Sequence, residues 1–162
     1  MSKEVMDTSK KPDLTQLGVI DDRVLSNIDL VKQSMKGMFA GDRNALFSYF
    51  AQNVTVFEAA GLPYGGDYHG KAAACDELTL KMLEYWENVD VDIIEILGGG
   101  DFVLLNLIVT FTPFGGKPVP HPIAELWKFK DGEVIESRLF YYDTALIAEV
   151  LASHPKPTLT SA

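Results

Sequence analysis

Two β-rich runs on either side of Asp131-Gly132 leave this chain few ways to fold. The stretch from Pro118 to Thr144, PVPHPIAELWKFKDGEVIESRLFYYDT, reads as two long strands joined by a tight hairpin. Asp and Gly both tolerate the positive φ that a two-residue turn demands. Such a turn sets Lys130 opposite Glu133, Phe129 opposite Val134, Trp127 opposite Glu136 and Glu125 opposite Arg138. Side chains alternate along a strand. One face is therefore predicted to carry Glu125, Trp127, Phe129, Val134, Glu136, Arg138, Phe140 and Tyr142, and the other Leu126, Ile135, Ser137, Leu139 and Tyr141. Large aromatics with a carboxylate and a guanidinium among them make the first face read as the wall of a pocket. Arg138, Tyr142, Phe140 and Trp127 are its candidate substrate contacts.

Upstream, Val24, Ile28, Val31, Met35 and Met38 recur at spacings of three and four, which predicts a helix capped at Asp21 or Asp22 and ended near Gly41. A short helix after Asp42, a strand over 54–58, a glycine-rich loop over 59–70 and a third helix over about 71–86 follow. Strands over about 90–97 and 102–112 lead into the hairpin, and a last helix from about Thr144 stops at the prolines of SHPKPT. Helices and strands are segregated, so the class is α+β with a mainly antiparallel sheet. The domain is expected over 21–152, between a flexible extension, 1–20, and a tail, 153–162. Strand 102–112 is apolar on both faces, as is the second face of the hairpin. Helices can cover one side; a second copy of the chain is expected on the other, as a homodimer through the outer sheet face.

The 162 residues carry 14 Lys+Arg against 23 Asp+Glu, a net charge of −9. Such a surface repels phosphate backbones, so nucleic acid is not an expected partner. No apolar run approaches the roughly 20 residues of a membrane span, and the N-terminus lacks the apolar core of a secretory signal. With one cysteine, Cys75, an internal disulfide is impossible, which fits a cytoplasmic location. Cys75 falls within the third helical pattern and reads as core. The histidines, His69, His121 and His154, show no metal-ligand spacing, so no metal site is expected. His121, between two prolines at a strand start, is the histidine best placed for catalysis. Asn106 sits mid-strand in an apolar run and needs either a ligand or a sheet partner. Tyr64 and Tyr68 flank glycines in a loop suited to gate a pocket mouth. Asp143 precedes the last helix and reads as its N-cap.

The element order resembles the SnoaL-like and ketosteroid isomerase-like families of the nuclear transport factor 2-like superfamily over about 21–151. The residues that carry the resemblance are Gly41-Asp42, the strand Val54 to Glu58, Tyr68-His69-Gly70, Trp127-Lys128-Phe129 with Asp131 to Ile135, and Tyr141 to Thr144. It implies a curved sheet wrapped as a cone around three N-terminal helices, a deep apolar pocket for a small hydrophobic molecule, and no cofactor. It also implies Glu58 as general base and Glu125 as a hydrogen-bond donor to an enolate oxygen, although Arg138 opposite Glu125 argues for an ion pair instead. Ser34 stands where the isomerase has a tyrosine, and Phe140 where epoxide hydrolases have an acid. The implied activity is a cofactor-independent acid–base reaction (isomerase, cyclase or dehydratase) on a small hydrophobic carbonyl compound. The alternative is a non-catalytic ligand-binding or dimerising domain of the same fold.

Overall fold

In the computed structural model, which describes residues 13, 15 and 17–157, helix α1 (Asp22–Phe39) lies against a sheet along the expected stripe. Val24, Val31 and Met35 are buried, and the Asp21 carboxylate accepts from the Val24 N–H at 2.9 Å. Most of the expected extension 1–20, and the end of the expected tail, lie outside the described residues. A 3₁₀ turn (Arg43–Phe47) capped by Asp42 leads into β1 (Phe50–Glu58). Then come β2 (Gly66–His69), a π-helical turn (Ala73–Glu77) that runs into α2 (Leu78–Leu83), β3 (Trp86–Gly99), β4 (Phe102–Pro113), β5 (Val119–Lys130), β6 (Glu133–Tyr141) and α3 (Thr144–Ser153).

Two boundaries differ from expectation. The glycine-rich loop contains β2, four residues long and too short for its alternation to stand out. Trp86 opens β3 rather than closing the third helix. There its ring rests on Phe111, with centroids 4.8 Å apart, and its indole N–H reaches the Tyr64 hydroxyl.

The six strands run in the order β2-β1-β6-β5-β4-β3. All neighbours are antiparallel except β1 and β6, so the sheet is mixed. The cone expected from the resemblance does not form. The sheet is open, with β2 and β3 as separate edges, and it neither curls round nor closes. Closure would require those edges to pair. The four residues of β2 offer too short a ladder against the fourteen of β3. The core lies between the helices and the sheet face bearing Leu105, Leu107 and Phe111. Gly98 shows how closely α1 approaches: a Cβ there would lie 2.6 Å from Val24 Cγ1.

The hairpin turn is the expected one, with Asp131 at φ 53° and Gly132 at φ 80°. Lys130 pairs with Glu133 and Phe129 with Val134, again as expected. The register then shifts. Lys128 pairs with Glu136, Trp127 with Ser137, Leu126 with Arg138 and Glu125 with Leu139, leaving Ile135 as an extra residue. A bulge of this kind reverses the facing of everything beyond it. Ser137, Leu139 and Tyr141 therefore turn towards the helices, beside Glu125 and Trp127. Glu136, Arg138 and Phe140 turn to the outer face, and Tyr142, past the end of β6, is 84% exposed.

Candidate active site

Helices and sheet enclose a cavity of about 110 Å³. Leu105, Leu107, Ile123 and Leu139 form its sheet side, and Met35, Met38, Leu46 and Met82 its helix side. Glu125 and Tyr141 are the only lining side chains that can ionise. The hollow is small beside ligand pockets of roughly 300–1,000 Å³. It is nearer the ~150 Å³ that takes up one benzene ring. Three methionines on one wall make that wall adaptable, because an unbranched thioether re-packs at little cost.

The position of Glu125 follows from β5, which turns Ile123, Glu125, Trp127 and Phe129 to one side. Glu125 Oε1 accepts two hydrogen bonds, from Trp127 Nε1 at 2.7 Å and from Ser137 Oγ at 2.7 Å. Burial raises the pKa of this carboxyl, and the two donors only partly oppose that rise. With Oε1 committed as an acceptor, the proton of the neutral acid belongs on Oε2. The ion pair expected with Arg138 does not form. Arg138 bonds instead to Glu136 at 3.0 Å and stacks 4.0 Å from the Phe57 ring centre on the outer face.

Glu58 ends β1 on the inner side and is 4% exposed. Its Oε1 accepts from the Ala59 N–H at 2.8 Å, while Oε2 has no partner. Burial pushes its pKa up to about 7, overriding the Ala59 N–H and the nearby Tyr141 hydroxyl. The Tyr141 hydroxyl is likewise buried without a partner. Burial, followed by the proximity of Glu58 and Tyr64, holds its phenol well above the usual range. Glu58 does not line the cavity itself; it meets the cavity through Tyr141. Two unpartnered polar atoms beside an apolar hollow are rare in native interiors, where buried polar groups are nearly always paired.

Several expected site residues lie elsewhere. Tyr64 and Tyr68 are buried rather than at a rim. The Tyr68 hydroxyl donates to the Tyr64 carbonyl at 2.6 Å, and the Tyr64 hydroxyl accepts from Trp86 Nε1 at 3.2 Å. Asn106 is exposed on the outer face with Arg138 and Phe140. His121 is 1% exposed, but its Nε2 accepts the Asp143 N–H at 3.1 Å. Burial lowers its pKa, although Asp143 opposes this, so the ring is a neutral support for the start of α3. Asp143 is that helix's cap, accepting from the Leu146 N–H at 3.0 Å. Cys75 is half-buried, with its thiol pushed up to about 11 by burial, which is unsuited to nucleophilic attack.

Ser137 and Tyr141 are the site residues that sequence reasoning missed. A signal existed. The uninterrupted register sent Glu136 and Arg138 into an aromatic pocket, an expensive burial. One extra residue after Val134 puts both on the outer face, partly exposed and paired with each other.

Helices on one face of an open mixed α+β sheet, with buried acids beside an apolar hollow, make up a fold shared with NTF2-like proteins. More narrowly, the chain belongs to the SnoaL-like domain family, whose sequence model matches residues 31–137. Among solved structures it is similar to an NTF2-like protein of unknown function from Burkholderia pseudomallei, with 18% identity, a TM-score of 0.71, and coverage of 78% of this chain and 97% of that one. It is also similar to Bal32a from a soil-derived mobile gene cassette, at 22% identity and TM-score 0.70, over 79% of this chain and 98% of the other. A third is TerC, co-crystallized with polyporic acid, at 19% identity and TM-score 0.72, over 78% and 98% of the two chains. These likenesses speak for the fold. No curated protein matches the chain in sequence.

Proposed function

We propose that this protein is a cofactor-independent acid–base enzyme acting on a compact, apolar carbonyl compound of about one ring. The observation that carries this reading is the pair of buried, unpartnered oxygens, Glu58 Oε2 and Tyr141 Oη, next to a cavity whose other polar group is the raised-pKa Glu125. A ligand with its carbonyl oxygen at Glu125 Oε2 would receive a hydrogen bond from the neutral acid. Its α-carbon would face Tyr141. The α-proton passes to Tyr141 Oη as the phenol proton passes to Glu58 Oε2; the C–H electron pair becomes the C=C bond and the carbonyl π pair moves to oxygen, giving an enolate held by the hydrogen bond from Glu125. Return of the proton at another carbon is isomerisation, expulsion of a β-hydroxyl is dehydration, and attack on a second carbonyl is ring closure. A base poised near neutral pH suits this step. TerC, of the same fold, was crystallized with polyporic acid, which is consistent with a hydrophobic oxygenated ligand here.

Tyr141→Phe tests the assignment. Turnover should fall roughly 10²–10⁴-fold with KM little changed. Full activity in this variant while Glu58→Gln is inactive would mean that Glu58 acts directly, and full activity in both removes the reading.

The cavity volume favours a second reading, a non-catalytic domain that binds a small ligand or dimerises. It predicts ligand binding, or none, with no wild-type turnover. In either reading we place a second copy of the chain on the outer sheet face. That face exposes Ile94, Leu97, Phe102 and Phe140. One half of it carries Lys128 and Arg138, the other Asp90, Asp92 and Glu95. A two-fold mate would set basic half against acidic half. Among the described residues no helix is long and apolar enough to cross a membrane, and we place the protein in the cytoplasm.

A further inference from the structure

A second hollow lies apart from the interior cavity. A cleft of about 450 Å³ opens at the end of the sheet, where the first turns of α1 meet the β5–β6 hairpin. It is about four times the interior volume and within the range of small-molecule sites.

Three features of the cleft point the same way. The first is charge. The chain has a net charge of −9, yet the cleft gathers Arg23, Lys128 and Lys130 against Asp101 and Asp131. Asp101 is already committed to Arg23, at 2.7 Å. Arg23 keeps further N–H donors beyond that bond, and neither lysine has a carboxylate partner among the described residues. The second is Asn27. It lies one turn beyond Arg23 on α1, lines the cleft and is only 4% exposed. No other group of the described fold bonds its carboxamide. An amide on the cleft wall with no partner in the fold is free to bond a ligand there. The third is the floor: Phe129, 4% exposed, and Ile135, the bulged residue, supply apolar surface beside the charges.

We propose that this cleft binds a small organic anion, with its carboxylate or phosphate held by Arg23, Lys130 and the Asn27 amide and its apolar body on Phe129 and Ile135. The site is separate from the acid pair. Trp127 and Phe50, in edge-to-face contact at 5.2 Å, are buried in the core alongside Phe129. The bulge thus has a second consequence, since the residue it extrudes is a wall of the cleft. The three cations of the cleft outnumber its two carboxylates by one, so a neutral analogue lacks the charge the cleft would stabilise, and a bare anion lacks the apolar body.

The test is calorimetric titration of the full chain with benzoate, phenyl phosphate, inorganic phosphate and benzyl alcohol, at low and at high salt. The expected result is one-to-one binding of benzoate or phenyl phosphate, weakened by salt. Benzyl alcohol and inorganic phosphate should bind at least about tenfold more weakly. The stronger of the two aryl anions names the head group. Asn27→Ala should weaken that anion by about tenfold or more, the scale of a lost hydrogen bond to a charged group. Lys130→Glu, on the exposed flank of the turn, should do the same without touching the core. It reads the site even if Asn27→Ala fails to fold. Leu139→Phe, which fills the interior cavity, should leave the affinity as it was. Binding lost in Leu139→Phe but kept in Lys130→Glu would move the ligand to the interior and overturn the proposal. Failure of both aryl anions to bind, or equal binding of inorganic and phenyl phosphate, would overturn it too.

Discussion

Glu58 condenses the energetics of the site into one side chain. In the unfolded chain its carboxyl ionises near 4.5, and in the fold at about 7. The fold therefore favours the neutral acid. Its contribution to stability is fully present below pH 4.5 and is lost as the pH rises through about 7, a span of roughly 3 kcal/mol for this buried group. Glu58→Gln removes that titration while keeping the shape. Chemical denaturation across this range should show the variant gaining on wild type as the pH rises from 4.5 to 8. A constant difference would mean that the carboxyl is not held neutral. The same logic applies to Tyr141. Its hydroxyl is buried without a partner, and removing such a group costs nothing in paired bonds. Tyr141→Phe should leave unfolding free energy unchanged or raise it by ~1 kcal/mol while turnover falls. A variant that loses activity and stability together would point to a structural role instead.

At the scale of elements, the bulge in β6 decides which chemistry faces the hollow. Deleting Ile135 would remove the bulge and leave the rest of the pairing as it is, with Glu136 opposite Lys128 and Ser137 opposite Trp127. Ser137 and Tyr141 should therefore stay inward, and the deletion variant should fold with a denaturation midpoint near that of wild type. A deletion variant that fails to fold would show that the extra residue is needed to fit the strand to the hairpin as well as to set its facing. α3 offers a smaller test. Asp143 caps it and its own N–H is held by His121, so Asp143→Ala should cost about 1 kcal/mol.

These two elements also show what could be read from the sequence. The Asp143 cap, the Asp131-Gly132 turn and the α1 stripe all come from short-range rules, and the structure has them where the residues put them. So does the inward facing of Trp127 and Glu125, which precede the turn. Ser137 and Tyr141 were not legible, because a bulge is settled by which side chains can be buried on a finished sheet. No local propensity of Val134-Ile135 announces it. The open sheet was hidden for a similar reason: whether edge strands meet depends on their lengths and placement in three dimensions, and β2 is four residues inside a glycine-rich loop.

For the whole molecule, the outer sheet face and the interior carry separate claims. If a second copy covers the face that exposes Phe140 at 51%, wild-type protein should sediment as a dimer and Phe140→Glu as a monomer. A wild-type monomer at micromolar concentration would remove the dimer without touching the site. The interior claim concerns proton transfer. It is reached most directly by following deuterium from heavy water into the α-carbon of a single-ring ketone, cyclohexanone, by NMR. With wild-type protein near pH 7 the exchange should outrun buffer, and it should drop by roughly 100-fold or more in Glu58→Gln. Exchange no faster than buffer with wild type, or undiminished in Glu58→Gln, would contradict the assignment of Glu58 and Tyr141 as a proton-transfer pair.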